Sequence, residues 1–139
     1  PAAQRMANLF FDRRSEDALV RKIVERCRAN YRELAAVADG IPILHVVIPS
    51  WWHLQEAEWS KTLSSLDFDP ADYEHGASQK RLLAIADQLG MPMLDLTPLL
   101  AASAEGEVLW LPTDRHLSPR GCDQVAEWMI PQLRVLLGR

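Results

Sequence analysis

The stretch IPILHVVIP, Ile41 to Pro49, decides the fold. It is short and almost continuously apolar. It is rich in β-branched residues and has proline at both edges. A strand buried on both faces of a parallel sheet reads this way, because helices cover both its sides. A strand with one wet face would alternate instead. The chain before it ends a helix: Asp39-Gly40 is a stop signal. Upstream, Leu19, Val20, Ile23, Val24, Cys27, Tyr31, Leu34 and Val37 recur at close to 3.6 residues. The spacing predicts a helix from Ser15 to Asp39. Ser15 is its expected N-cap, with Glu16 and Asp17 at the positive end of the dipole.

A long connection follows the strand, from Ser50 to Gly76, with a helical segment expected around Leu54 to Leu66. Connections of this length usually form lids or substrate loops. The helical period returns from Ala77 to Leu89, and Gly90 is placed as a C-cap. MPMLDLTPLL then supplies a second buried strand, Met93 to Leu96, with Asp95 expected to cap the turn at Thr97-Pro98. Pro98 to Ala104 suits a helical turn, and EGEVLWLP a turn and short strand. Ser118 caps the last helix, with Pro119 in the first position, where a missing N–H costs nothing. Val125, Trp128, Met129, Leu133, Leu136 and Leu137 form its apolar face, and Pro131 is expected to bend it.

This order of elements is an α/β layered pattern. Two buried strands joined by a helix do not complete a parallel sheet, since each needs neighbours and cover. The expectation is one domain, or the C-terminal half of one, from a doubly wound parallel sheet. Its other strands would lie upstream of Pro1 or come from another chain. The absence of an initiator Met fits a processed or truncated product.

Bulk properties narrow the function. The chain has 139 residues, 48% hydrophobic and 24% charged, which suits a globular domain. A net charge of −4 argues against nucleic acid, which needs a basic stripe. No apolar run approaches the roughly 18 residues of a membrane span. Cys27 and Cys122 lack metal-ligand spacing and are expected to be free thiols.

The chemistry concentrates in LPTDRHLSPRG, Leu111 to Gly121. Asp114 and His116 lie on a loop between the last strand signal and the last helix. In open α/β sheets such loops, at the strand carboxyl ends, build the site. A histidine there can take a proton from a serine hydroxyl, and a carboxylate beside it can hold the ring's tautomer. The same two residues also fit an ordinary polar turn.

The segment MPMLDLTPLLAASAEGEVLWLPTDRHLSPRGCDQVAEWMIPQL resembles the C-terminal end of SGNH/GDSL-type hydrolases. YRELAAVADGIPILHVVIPSWWHL is similar to the helix–strand unit that precedes it in that family. The resemblance runs from about Tyr31 to the C-terminus, and only TDRHLSPRG is specific. It implies a flavodoxin-like three-layer sandwich, with His116 as general base and Asp114 as its partner. It implies a small-molecule or carbohydrate ester substrate and no cofactor. Here the spacing is Asp-x-His, where the family commonly has Asp-x-x-His; the shorter form occurs in branches linked to polysaccharide O-acetyl chemistry. The family's Gly-Asp-Ser nucleophile and its oxyanion-hole Gly and Asn are not found among these residues. By family order they would lie upstream of Pro1.

Ser50 follows the first strand at its carboxyl end, but lacks the small-residue elbow that exposes a nucleophile. Trp51, Trp52 and Trp59 cluster on the long connection. Their faces could stack on a substrate, and so Ser50, Trp51 and Trp52 are candidate binding residues. They could equally pack the connection onto the domain. His53 and His75 share that segment, but no ligand spacing links them to Asp114 and His116 as a metal site. His45, inside the strand, is expected to be a satisfied core histidine. Two readings follow: an ester hydrolase or O-acyl transferase, and a non-catalytic α/β module that holds a glycan or protein through the tryptophan loop.

Overall fold

Helix α1, Ala18–Ala38, begins where a carboxylate can satisfy its first N–H groups. The cap is Asp17 and not Ser15, which lies outside the described residues. Asp17 Oδ1 accepts from the N–H of Leu19 at 2.8 Å and of Val20 at 3.4 Å. The bond from Leu19 is the main cause holding the Asp17 carboxyl below its ordinary range. The helix stops as the motif predicts, with Asp39 at φ 46° and Gly40 at φ 82°, both left-handed. The computed structural model describes residues 12–14, 17–103, 109–111 and 116–138.

The elements that follow are β1 (His45–Val47), α2 (Glu56–Ser65), α3 (Ala77–Gln88), β2 (Met93–Asp95), α4 (Thr97–Ala102) and α5 (Pro119–Leu136). The chain is a mixed α/β structure. Among the described residues its sheet has two strands, paired in parallel with His45 opposite Met93 and Val47 opposite Asp95. The ladder is much shorter than the Ile41–Pro49 run. Ile41 is 70% exposed, and the strand residues are mostly half-buried. A strand extends only as far as its neighbours pair with it, and β1 has one neighbour here. His45 also departs from expectation. Its ring meets Tyr31 edge-on at 4.7 Å, yet its buried Nε2 has no partner among the described residues. Burial pushes its pKa down.

The other local signals act as read. α3 ends in a Schellman turn: Gly90 sits at φ 63°, and Met91 N–H reaches the Ala86 carbonyl at 2.9 Å. Asp95 Oδ1 accepts the Thr97 N–H at 2.9 Å and so starts α4. Ser118 Oγ accepts the Gly121 N–H at 3.0 Å and starts α5. α5 continues through Pro131 to Leu136, although the proline N cannot donate. No helix among the described residues is long and apolar enough to cross a membrane. Cys27 and Cys122 are free, and burial raises the Cys27 pKa.

Two apolar clusters organise the packing. One gathers Trp51, Leu96, Leu100, Leu109, Trp110 and Val125. The other is internal to the long connection and centres on Trp59 and Leu63. The connection is therefore a small folded unit with its own core. Several periodic helix positions stay uncovered: Val37 is 82% exposed, Leu137 56% and Leu34 45%.

Candidate functional site

Because β1 and β2 are parallel, their carboxyl ends face one way. Trp51 follows shortly after β1, and Leu96 comes directly after β2. Both pack against the segment that carries His116. That segment is a hairpin: Trp110 bridges Leu117 in antiparallel fashion, and Leu111 N–H donates to the His116 carbonyl at 2.7 Å. The Trp110 ring meets Trp51 edge-on at 6.1 Å, and Leu109 and Leu96 are fully buried beside them. The hairpin is thus pressed against the carboxyl ends of the strands. His116 lies on its stem and is exposed. Asp114 falls in residues 112–115, outside the described residues.

Ser118 and Gly121 fix this hairpin to α5. Ser118 N–H donates to the Leu109 carbonyl at 2.8 Å. Gly121 is buried against the same carbonyl: a Cβ there would stand 2.2 Å from Leu109 O and 3.1 Å from its carbon. No side chain fits without moving backbone. The glycine of SPRG is therefore required by close approach. Gly121→Ala should lower stability by about 2 kcal/mol through overpacking, read as the shift of a urea unfolding midpoint. An unchanged midpoint would mean that the contact is not held in solution.

A second cluster lies on the long connection, and the sequence reading did not find it. Residues 12–14 run antiparallel to 72–74: Glu74 N–H donates to Asp12 O at 2.8 Å, and Arg14 N–H to Asp72 O at 2.9 Å. This places the Asp12 side chain, fully buried, against His53. Asp12 Oδ2 lies 2.8 Å from His53 Nε2, and Oδ1 accepts the Ser78 N–H at 2.9 Å. A carboxylate only accepts, so Nε2 carries a proton toward Asp12. The other nitrogen, Nδ1, is buried without a partner among the described residues. Below this pair, His75 bonds through Nε2 to the His53 carbonyl at 2.9 Å and through Nδ1 to Glu56 at 2.9 Å. Trp59 stacks on both rings, at 5.7 Å from His53 and 5.2 Å from His75.

The candidate binding residues separate. Trp51 is 8% exposed and Trp59 4%, so both rings serve packing. Trp52 is half-buried beside His53. Ser50 precedes the Trp51–His53 turn, makes no capping bond, and lines a cleft of about 220 Å³ with His53, Ser78 and Gln79. Among the described residues no group of three or more His, Cys, Asp or Glu could hold a metal ion. Nothing local could have revealed the Asp12–His53 pair, since 41 residues separate its members.

Compared with known proteins, the chain matches no family model, no curated protein and no solved structure.

Proposed function

We propose that these residues supply the histidine and aspartate of an SGNH/GDSL-type ester hydrolase or O-acyl transferase. One observation carries the reading. The hairpin bearing His116 is packed by Trp110 and Leu109 against the carboxyl ends of two parallel strands, with His116 exposed there. That is where open α/β sheets build their sites.

In this reading β1 and β2 belong to a larger doubly wound, three-layer sandwich. The short ladder and the uncovered Val37 and Ile41 support it, because further strands and a helix layer would use them. A serine on a segment outside these 139 residues attacks the ester carbonyl. His116 takes the hydroxyl proton and returns it to the leaving alcohol. Asp114 holds the imidazole and stabilises its cation. A water or a second alcohol then releases the acyl group, which separates hydrolase from transferase. This chemistry requires no metal or organic cofactor.

The module reading has less support. Two of its three tryptophans are in the core, and little of their surface remains for a glycan. The test is to mix the full-length gene product with a short acyl ester, quench rapidly and weigh the protein. The expected result is a mass gain of one acyl group. No gain with any acyl ester, together with no turnover, would overturn the proposal.

A further inference from the structure

We propose that residues 55–74 of the long connection form a lid over His53, and that residues 12–14 are a strap that holds it shut. Both ends of the lid are marked. Trp51 and Leu54, just before it, pack into the cluster with Leu96 and Trp110, so they belong to the body. Just after it, Gly76 sits at φ 75°, in the left-handed region, and the buried Ala77 starts α3. A glycine there can absorb a large backbone rotation. Between these ends the chain has its own core. Trp59 and Leu63 pack with Leu66, Phe68 and Tyr73, and the Phe68 and Tyr73 rings stack at 5.0 Å. α2 packs chiefly on the Trp51–His53 turn. There Trp52 reaches into the lid core, and Trp59 stacks on the His53 ring.

The strap faces two ways. Toward the body, the Asp12 carboxylate bonds to His53 Nε2 at 2.8 Å and accepts the Ser78 N–H at 2.9 Å. The Arg13 carbonyl accepts from Arg81 Nη2, on α3, at 2.6 Å. Toward the lid, the strap uses mainly backbone. Asp12 O accepts the Glu74 N–H at 2.8 Å, and Arg14 N–H donates to Asp72 O at 2.9 Å. Arg14 Nε donates to the Ala71 carbonyl, and the Arg13 guanidinium lies 6.0 Å from the Tyr73 ring centroid. Water can replace hydrogen bonds of this kind at small net cost, whereas it cannot replace buried apolar contact. Lifting the lid breaks the second set of bonds and the Trp59–His53 stack, and leaves both apolar cores intact. Its opening free energy therefore lies below that of global unfolding. His53 also borders the cleft at the carboxyl end of β1, with Ser50, Ser78 and Gln79, so the lid covers a wall residue of that cleft. The inference rests on neither His116 nor ester chemistry.

The experiment is hydrogen exchange of the full-length gene product, read peptide by peptide by mass spectrometry, under conditions where closing outruns exchange. Peptides within residues 55–74 should share one protection level, at least about tenfold below that of β2 and the C-terminal half of α3. Arg13→Cys with Tyr73→Cys then tests the strap. These two residues face each other across the antiparallel bridge as a non-hydrogen-bonded pair, whose side chains stand close enough for a disulfide. Cys122→Ser removes an exposed thiol that would compete. Oxidising the new pair should raise the protection of residues 55–74 to that of β2, and reducing it should restore the lower level. Equal protection of lid and body in the parent protein would overturn the inference, because the connection would then open only with the whole fold. So would a disulfide that forms and leaves exchange within residues 55–74 unchanged. The parent measurement decides the first point whether or not the variant folds.

Discussion

His116→Ala in the full-length gene product should lower kcat/KM for an acyl ester about ten-thousand-fold, or about 5.5 kcal/mol of barrier. The fold should survive. His116 is exposed, and its contact with Leu111 uses the backbone carbonyl, which alanine keeps. Unfolding free energy should stay within about 0.5 kcal/mol. The two readouts together separate a lost base from a lost structure. Turnover within tenfold of the parent, on a folded variant, would remove His116 from the chemistry.

Asp12→Ala should act in the opposite way, on stability first. Asp12 is fully buried and holds two donors, His53 Nε2 and the Ser78 N–H. Removing the carboxylate strands both in a buried site. Each stranded group costs about 1–3 kcal/mol, so a loss of about 3 kcal/mol is expected. Asp12→Asn should cost less, because its oxygen can still accept from Ser78 while its amide faces a ring that must change tautomer. Equilibrium unfolding in urea measures both. A loss below about 1 kcal/mol for alanine would mean that water reaches the pair and that the buried geometry is not held.

The contrast between these two histidines shows what was readable in advance. His116 sits in a contiguous motif whose other members have local duties: Ser118 caps, Pro119 opens the helix and Gly121 admits the Leu109 carbonyl. Spacing alone exposes such a motif. His53 gains its meaning from Asp12 through backbone pairing between residues 12–14 and 72–74, and no local pattern encodes that. Helix ends were legible for the same reason as the motif. Gly90 and Asp95 act within a few residues of themselves, and only Asp17 displaced the expected Ser15. Strand length was not legible. IPILHVVIP is apolar enough for nine residues of strand, yet β1 covers three, because ladder length belongs to the neighbours. The tryptophans illustrate a third limit. A large aromatic suits a core and a ligand face equally, and only packing assigned Trp51 to Trp110 and Trp59 to the histidine stack.

The uncovered side chains bear on the same question. Val37, Ile41 and Leu137 fall in stretches that read as buried and are exposed among the described residues. A larger sheet with a second helix layer would cover them. In the proposed enzyme the same larger sheet would carry the serine.

The central claim is that the His116 hairpin serves a serine held outside these residues. A peptide map of the gene product, trapped in the act of ester turnover, tests it most directly. The account predicts an acyl group on a single serine beyond residues 1–139, and no trapped acyl group in His116→Ala. An acyl group on Ser50 or another serine of this chain, or one that forms equally fast without His116, would contradict it.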